Sequence, residues 1–423
     1  MTVEKVYRTI EQSSTRLGNL LKELVAVDTT NPPGRNYVDM VNLLKKRCEG
    51  LGLHTMVIPV PESETLSVLP HADANPRLNL IARWDVGANK TIHFNAHYDV
   101  VPAAGNWRFP PFAPEIEDEW LYGRGADDMK DSIAALLFAI SSIRENNLRP
   151  VFNIECSFTC DEEIGGELGA GYLVQNRMIQ ADYVVNCEGG SLLNVGVGHN
   201  GVIWMNVTAH GVAAHASQPE KGLNAFEKMV SLVSALQLQK ERLAPPDRVF
   251  ATNSGQHRRP TICIGGVFHG TDGDKVNTVP AQATFSIDRR VIPSENLEEV
   301  EQEIREIIKE ICIADSELRV EVNTILSIAP CIVDVGHPFV QAFGEAVQVV
   351  RERSPSFSAT SGFTDLHFFV VDGGLPGVGY GVDGESAHGV DERVSITDLV
   401  AVAKIYATLM MMPHASAHTL SGS

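Results

Sequence analysis

Short apolar runs alternate with longer amphipathic stretches through the first half of the chain, and this alternation limits the possible folds more than any other sequence feature. The apolar runs that predict strands occupy residues 78–84, 91–95, 151–159 and 183–186. Helical spacing predicts helices over residues 131–145 and 169–176. Because strands separated by helices pair in parallel, this order predicts an α/β sandwich with a mostly parallel sheet.

The order of the predicted elements changes at about residue 201. The elements that follow are strand 202–210, helix 224–240, strands 261–266 and 281–290, helix 294–312 and strand 318–326. This βαββαβ order closes on itself as a small ferredoxin-like sheet with two helices on one face. A chain of 423 residues exceeds the roughly 100 to 200 residues of a typical domain. We therefore predict a first domain over residues 1–200, an inserted domain over 201–327 and the rest of the first domain over 328–423.

Charge and hydropathy argue against several classes of partner. The formal charge of −19 disfavours nucleic acid and anionic membranes, since both reward clustered Lys and Arg. No stretch approaches the ~20 apolar residues needed to span a bilayer, and the N-terminal residues lack the apolar core of a signal peptide, so we expect a cytoplasmic location. The seven cysteines lie mostly in apolar runs, which predicts reduced, buried thiols.

His97 and Asp99 directly follow the predicted strand 91–95. The ends of strands are where open α/β sheets bind ligands. A histidine beside a carboxylate suits a metal ligand, because the carboxylate orients the imidazole and makes it more basic. The same pair is also compatible with a turn carboxylate next to a surface histidine.

Asp127 and Asp128 precede the predicted helix 131–145 and follow a Gly-rich turn. One Asp at this point would serve as a helix N-cap. Two adjacent carboxylates repel each other, and a divalent cation between them and other ligands relieves that repulsion. The segment is therefore compatible with capping and with metal binding.

Glu162 and Glu163 follow the predicted strand 151–159, and Glu188 follows the predicted strand 183–186. Hydrolysis at a metal needs one carboxylate on the cation and another that takes a proton from water. The adjacent Glu162 and Glu163 can divide these roles. The alternative is a solvated acidic turn or a helix cap.

His388 lies in a loop before the last predicted helix, and a histidine in such a loop is ordinarily solvated. Metal binding is favoured over this reading because His388 is one of five residues that all fall in loops predicted to follow strands of one sheet. These residues are His97, Asp128, Glu163, Glu188 and His388. Imidazole and carboxylate ligands together suit zinc, manganese or cobalt, so we expect one or two such divalent ions.

Together these motifs resemble the M20 metallopeptidases, the family of acetylornithine deacetylase, succinyl-diaminopimelate desuccinylase, aminoacylase and glutamate carboxypeptidase. The resemblance covers nearly the whole chain. It implies that His97 and Glu188 hold a first metal, that Glu163 and His388 hold a second, and that Asp128 bridges the two.

The resemblance also assigns roles to residues that bind no metal. Glu162 falls on the general base, Asp99 on the carboxylate that orients His97, and a cis peptide bond is expected after Asp128. The inserted domain corresponds to a lid and dimerisation domain, which implies a homodimer. There His215 helps to hold the oxyanion, often in the neighbouring subunit's site. The residues that resemble substrate contacts are Asn277, Arg290, Ser361, Gly362 and Thr364.

The family implies a metal-dependent hydrolase of carbon–nitrogen bonds that acts on a small molecule. The leading expectation is deacylation of an N-acyl amino acid or dipeptide-like amide, whose free carboxylate the Arg290 guanidinium would bind through two parallel hydrogen bonds. One alternative is an aminohydrolase that releases ammonia from a non-peptide amine, including a carboxylated aromatic amine. Another is an inert metal-loaded scaffold, against which the presence of every expected ligand and of Glu162 argues.

Two positions depart from the family pattern. Asp131 stands where members usually have Gly, and Phe363 places an aromatic ring in the substrate loop, where small residues are common. Phe363, Tyr98 and Trp107 are compatible with a flat or aromatic substrate.

Overall fold

The chain divides into two structural units, the second of which is inserted into the first. The computed structural model describes residues 2–69, 75–189, 191–251, 257–271, 273 and 275–412. The first unit comprises Met1–Gly198, Val333–Ser358 and Thr364–Ser423, and the second comprises His199–Ile332 and Ala359–Phe363. At the point of insertion, the N–H of Val333 donates to the carbonyl of Val197 at 2.7 Å.

The N-terminal part of the first unit supplies most of its sheet. In chain order its elements are α1 (Thr2–Gln12), α2 (Ser14–Val25), α3 (Tyr37–Gly50), β1 (His54–Pro59), α4 (Glu62–Val68), β2 (Leu78–Trp84), β3 (Thr91–His97), β4 (Glu115–Glu117), β5 (Trp120–Tyr122), α5 (Lys130–Glu145), β6 (Asn153–Thr159), α6 (Tyr172–Gln175), β7 (Tyr183–Asn186) and β8 (Asn194–His199).

The second unit is built around a four-stranded antiparallel sheet. In chain order its elements are β9 (Gly201–His210), β10 (Ala214–His215), α7 (Ala225–Leu238), α8 (Lys240–Leu243), β11 (Phe250–Ala251), β12 (His257–Arg258), β13 (Thr261–Gly270), β14 (Thr278–Val279), β15 (Gln282–Val291), α9 (Leu297–Ala314), β16 (Arg319–Ile328) and β17 (Cys331–Ile332). The sheet has the order β13-β15-β9-β16, and α7 and α9 share one hydrophobic core with it. The predicted βαββαβ arrangement is therefore confirmed.

Neighbouring residues of these strands face opposite sides of the second unit's sheet. Ile203 and Met205 of β9 are buried in the core shared with α7 and α9. Arg289 of β15 pairs in register with Ile203 and therefore points the same way, where its buried guanidinium binds Glu295. Its neighbour Arg290 consequently points to the open face of the sheet.

The chain returns to the first unit through α10 (Pro338–Arg351), β18 (Ser356–Thr360), β19 (Gly377–Gly379), β20 (Arg393–Ser395) and α11 (Ile396–Met411). In the sheet of the first unit the strands follow the order β1-β2-β6-β3-β7-β19-β8. The central strands β6, β3, β7 and β19 are parallel, and the strands at both edges pair antiparallel. This arrangement confirms the predicted α/β fold with a mostly parallel sheet.

Helix α5 lies in the core of the first unit. Its residues from Lys130 to Ile140 are all buried, and it packs against α2, α11 and β3. A helix that is covered on all sides needs apolar residues around its whole circumference, which explains its run of Ile, Ala, Leu and Phe. This packing fixes the start of α5 and with it the preceding turn that carries Asp128.

Two local predictions were wrong, and a third was confirmed in part. Strand β3 extends to His97, so that His97 is its last residue rather than part of the following loop. The predicted helix 169–176 is confirmed in part, because a π-helix at Glu167–Gly171, kinked at Gly169, continues into the short α6. Asp128 follows β5, which belongs to a separate sheet of order β20-β5-β4, so the predicted ligands do not all follow strands of one sheet.

No helix within the described residues is long and apolar enough to cross a membrane. All seven cysteines have free thiols. The buried ones are Cys48, Cys156, Cys160, Cys187 and Cys331, and Cys312 is half-buried. Cys263 on β13 is exposed, so the prediction of buried thiols is wrong for this residue.

Candidate metal centre

His97 is fixed at the end of β3 by Asp99. The imidazole is almost completely buried, and its Nδ1 lies 3.1 Å from the carbonyl oxygen of Asp99 and 3.6 Å from Asp99 Oδ1. The same carboxylate accepts the backbone N–H groups of Glu162 at 3.2 Å and of Glu163 at 3.3 Å. Asp99 therefore orients His97 and also holds the turn that carries the two glutamates.

Asp128 lies between two histidines from distant parts of the chain. Its Oδ1 is 3.1 Å from His97 Nε2, and its Oδ2 is 3.2 Å from His388 Nε2. The same nitrogen of His388 is 3.0 Å from Glu163 Oε2. One ligand atom from each of Asp128, Glu163 and His388 lies within 4.8 Å of the others. The peptide bond after Asp128 is cis, as the family resemblance implies.

Glu162 and Glu188 interact electrostatically with this cluster. Glu162 Oε2 is 3.9 Å from His97 Nε2. Glu188 Oε2 accepts a hydrogen bond from Asn186 Nδ2 at 3.3 Å. Among the described residues, no direct hydrogen bond joins Glu188 to the other four candidate ligands. The structure thus brings His97, Asp128, Glu163 and His388 into contact and leaves Glu188 beside them.

The acidic groups of the cluster raise the pKa values of its imidazoles. Burial opposes a charge on His97, but its hydrogen bonds to Asp128 and Asp99 outweigh burial and raise its pKa well above the usual range. The hydrogen bonds of His388 to Asp128 and Glu163 raise its pKa to about 10. Both shifts arise because carboxylates face the ring nitrogens of the two imidazoles.

The carboxylates are buried together, which costs free energy unless positive charge compensates them. Burial raises the pKa of Glu162 and of Glu188 well above the usual range. The pKa of Asp128 is lowered instead, because the two imidazoles outweigh its burial. Among the described residues, Glu163 Oε1 is buried and has no hydrogen-bond partner. This surplus of acidic oxygen beside imidazole nitrogen fits a divalent metal of the zinc, manganese or cobalt type.

Glu392 holds the turn of Asp128 from behind and was not among the predicted site residues. Its Oε1 accepts the backbone N–H groups of Gly125 and Asp127 at 2.9 Å and of Asp128 at 3.1 Å. Its Oε2 pairs with the buried guanidinium of Arg124. Burial raises the pKa of Glu392, and the N–H groups and Arg124 act against that increase.

Asn95, near the end of β3, is hydrogen-bonded to the end of β7 and to Asp365. Its Nδ2 donates to Asn186 Oδ1 at 2.9 Å and to Asp365 Oδ2 at 3.1 Å. Asn186 in turn donates to Glu188. Burial raises the pKa of Asp365 to about 7. A signal for this network existed in the sequence, since Asn95 and Asn186 are polar residues in otherwise apolar strands, each two positions before a candidate ligand.

Asp161 anchors the turn of the glutamates and was also missed. It accepts hydrogen bonds from Arg77 Nε at 2.8 Å and from Asn31 Nδ2 at 3.0 Å. Asn31 Nδ2 also donates to Asp99 Oδ2 at 3.0 Å. Asp161 has a φ of 63°, in the left-handed region, so these bonds stabilise a backbone conformation that is costly for a residue with a side chain.

The predicted residues of the second unit fall in two places. His215 and Asn277 are exposed neighbours, because β10 pairs with β14 and the N–H of Ala216 donates to the carbonyl of Asn277 at 2.9 Å. Arg290 lies on the open face of the sheet, where it pairs with Asp288. Ser361 and Gly362 belong to the second unit and Thr364 to the first. In the first unit, the Thr364 hydroxyl accepts the N–H of Leu366 at 3.3 Å.

Several known proteins are similar to this chain in sequence or in fold. Succinyl-diaminopimelate desuccinylase from Rhodospirillum centenum is 28% identical over 404 residues, which cover 92% of this chain and 95% of that protein. Human carnosine dipeptidase 1 has a similar fold with a TM-score of 0.74 at 17% identity, covering 97% of this chain and 99% of that chain. A dinuclear metal-binding peptidase of the M20 family from Bacillus subtilis matches with a TM-score of 0.65 at 15% identity, covering 95% of this chain and 98% of that chain.

The family model described as Peptidase family M20/M25/M40 matches residues 93–412. This range contains His97, Asp128, Glu163, Glu188 and His388 together with Glu162. The chain therefore belongs to peptidase family M20/M25/M40, and the protein is a metal-dependent hydrolase of carbon–nitrogen bonds.

Proposed function

We propose that this hydrolase removes the acyl group from an N-acyl amino acid or a dipeptide-like amide with a free carboxylate. The observation that carries the proposal is the bridging position of Asp128, whose oxygens lie 3.1 Å from His97 and 3.2 Å from His388. The carboxylate of Glu162 lies 3.9 Å from the same His97 nitrogen. A base next to a group of metal ligands is what amide hydrolysis by activated water requires.

We assign two metal positions to the cluster. His97, Asp128 and Glu188 would hold the first ion, and Asp128, Glu163 and His388 the second. The close approach of ligand atoms from the latter three, within 4.8 Å, supports the second position, and the dinuclear peptidase from Bacillus subtilis supports the count. When bound, the metal supplies a Lewis acid that polarises the scissile carbonyl and makes water more acidic. Zinc, manganese or cobalt fits these ligands.

Glu162 moves the proton in this proposal. It accepts a proton from water as the water oxygen bonds to the acyl carbon, and it gives that proton to the amide nitrogen as the carbon–nitrogen bond breaks. The hydrogen bond from the Glu162 N–H to Asp99 Oδ1 at 3.2 Å supports this role. The carboxylate that orients His97 thereby also fixes the position of the base.

Five further residues are proposed to bind the rest of the substrate. We assign the substrate carboxylate to Arg290, since a guanidinium binds a carboxylate through paired hydrogen bonds. Asn277, Ser361, Gly362 and Thr364 are further proposed contacts, on the strength of the family resemblance.

We further propose a homodimer that forms through the second unit. Strand β13 is at the edge of its sheet, and its Val267 and Phe268 expose 60% and 71% of their surface. An exposed apolar edge strand favours pairing with a strand of another chain, and a second copy of this chain supplies one. His215, exposed on β10, would then stabilise the oxyanion in the partner's site. A cytoplasmic location stays a prediction.

A panel of N-acyl amino acids and dipeptides tests the proposed reaction. Hydrolysis should disappear with a chelator and return with Zn²⁺, Mn²⁺ or Co²⁺. Release of ammonia from aryl amines without hydrolysis of any amide would contradict deacylation and favour the aminohydrolase. Light scattering should give the mass of a dimer, and a monomeric mass at all concentrations would contradict the dimer.

A further inference from the structure

Arg290 and Asp288 form a bidentate ion pair on the open face of the second unit's sheet. Asp288 Oδ1 accepts from Arg290 Nε at 2.9 Å, and Asp288 Oδ2 accepts from Arg290 Nη2 at 3.0 Å. The pair occupies one edge of the planar guanidinium and fixes its orientation. Among the described residues, Arg290 Nη1 has no hydrogen-bond partner. The other edge of the guanidinium is therefore open to a second carboxylate.

Trp204 holds the carboxylate of Asp288 in place. Trp204 Nε1 donates to Asp288 Oδ2 at 3.0 Å, and the two residues are direct partners in the pairing of β9 with β15. Asp288 thus receives three hydrogen bonds, two from Arg290 and one from the indole. These hydrogen bonds hold Asp288 in one position, and Asp288 in turn orients the guanidinium of Arg290.

An aromatic wall stands beside this ion pair, formed by Trp204 and Phe363. The two rings lie 6.1 Å apart with an interplanar angle of 71°, which is the favoured edge-to-face arrangement. Both rings pack on a small apolar core formed by Val202, Leu326 and Ile328. Each ring is only half-buried, so aromatic surface remains available next to the open edge of Arg290.

We propose that the aromatic wall makes the protein selective for substrates whose free carboxylate adjoins an aromatic side chain. The carboxylate binds the open edge of Arg290, and the side chain packs on Trp204 and Phe363. A small side chain would leave those rings uncovered, and an acidic one would meet an apolar surface beside an already paired Asp288. This inference rests on the proposed function, because the bound molecule is taken to be the substrate.

The other two aromatic residues considered from the sequence belong to the first unit and are not part of the aromatic wall. Tyr98 is fully buried and donates its hydroxyl hydrogen to the carbonyl of Leu78 at 2.6 Å. Trp107 lies against the guanidinium of Arg124, with 5.1 Å between the charged carbon and the ring centre. Trp204 and Phe363, by contrast, pack together on the apolar core formed by Val202, Leu326 and Ile328, on the face of the sheet that carries Arg290.

Calorimetry on the metal-loaded, full-length Glu162→Gln protein separates binding from turnover. We expect N-acetyl-L-phenylalanine to bind about tenfold more tightly than N-acetylglycine, as burial of one aromatic ring against two others suggests. The methylamide of N-acetyl-L-phenylalanine, which lacks the carboxylate, should bind more weakly than the free acid. Equal affinities for the phenylalanine and glycine compounds would overturn the proposal.

Substitutions test whether Phe363 and Trp204 cause the preference for the phenylalanine compound. In the metal-loaded Glu162→Gln protein, the further substitution Phe363→Ala should reduce the tenfold preference to about twofold. Phe363→Leu should give an intermediate preference. Trp204→Phe keeps a ring but removes the donor to Asp288, so it should weaken binding of both acids and preserve most of their ratio. Phe226→Ala is the matched control, because Phe226 is 53% exposed on α7, the helix that covers the other face. An unchanged ratio in Phe363→Ala would overturn the proposal.

The failure of the proposed reaction has a different signature. If the wild-type protein hydrolysed no amide while the Phe363-dependent preference in binding persisted, deacylation would be wrong and the aromatic site would stand. If both acyl amino acids were hydrolysed with equal kcat/KM and bound equally, deacylation would stand and the aromatic site would be wrong.

Discussion

The backbone N–H of Asp128 donates to Glu392 Oε1 at 3.1 Å, although 264 positions separate the two residues in the chain. Asp128, the proposed bridging ligand, is thus held in place by the segment that also contains His388. If the turn of Asp128 were flexible, repulsion between the acidic side chains would move Asp128 away from its neighbours in the absence of a cation. Three N–H groups on one oxygen of Glu392 prevent this movement and preorganise the site for metal.

Replacement of Glu392 by Gln should weaken both the fold and metal binding. The neutral amide leaves the buried guanidinium of Arg124 without its counter-charge, which costs about 3–5 kcal/mol of unfolding free energy. Metal affinity should fall roughly 10–100-fold, because the turn of Asp128 loosens. Denaturant unfolding of the metal-free protein and calorimetric titration with Zn²⁺ measure the two effects. Glu385→Gln is the control, since Glu385 pairs with Arg393 at the surface; equal losses in both variants would contradict the role of Glu392.

Replacement of Glu162 by Gln should abolish most turnover and leave binding intact. General acid–base catalysis contributes about 10²–10⁴-fold, and kcat should fall by that factor with little change in substrate Kd. Steady-state kinetics, calorimetry and metal analysis of the same preparation provide the measurement. Glu167→Gln is the matched control, because Glu167 is an exposed residue of the following turn. Near-normal kcat in metal-loaded Glu162→Gln would exclude this residue as the base.

Replacement of His388 by Ala should remove one metal position and retain the other. His388 contacts Asp128 and Glu163, whereas His97 contacts Asp128 from the other side. We expect the wild-type protein to bind two ions per chain by elemental analysis and His388→Ala to bind one. His54→Ala, at an exposed position of β1, should leave the count at two. An unchanged count in His388→Ala would contradict the assigned ligand set.

The stability of the fold at acidic pH should depend on Glu155, a buried residue of β6. Burial raises its pKa, but hydrogen bonds that include one from His93 prevail and lower it to about 2, from 4.5 for an ordinary Glu. The ionised form therefore stabilises the fold above about pH 4.5, and this contribution is lost as pH falls toward 2. The linked free energy is about 3 kcal/mol.

Urea unfolding between pH 3 and 7 measures this contribution. Glu155→Gln should be less stable than wild type at neutral pH, and the difference should shrink as the pH falls. Glu64→Gln, an exposed residue of α4, serves as the control. A difference between Glu155→Gln and wild type that stayed constant down to pH 3 would contradict the assigned pKa.

The sequence allowed the parallel centre of the sheet to be predicted because β3, β6 and β7 are buried on both faces and read as apolar runs. His97, Glu163 and Glu188 could be placed together for the same reason, since parallel strands end at one edge. Strand β19 was missed because Gly377–Gly379 contains too little apolar surface to form a pattern. Strand β1 was missed because most of its residues are exposed.

Residues that act through tertiary contacts were harder to identify from the sequence. Glu392 and Arg124 carry no spacing that indicates their pairing, which arises only when the turn before α5 meets the loop before β20. The connection between Trp204 and Asp288 depends on strand register, and a shift of one position would place the two residues on opposite faces. Periodicity could identify β9 and β15, but it could not align them.

The insertion begins and ends where Val197 and Val333 are hydrogen-bonded to each other. All five candidate metal ligands lie outside the insertion, in the first unit, whereas Trp204, Asp288 and Arg290 lie inside it. Apart from Thr364 and the short segment Ala359–Phe363, the residues proposed to bind the substrate thus lie in one inserted segment, a cassette whose two ends adjoin. Exchange of that cassette during evolution would give related enzymes new substrates, while the candidate metal ligands of the first unit stayed unchanged.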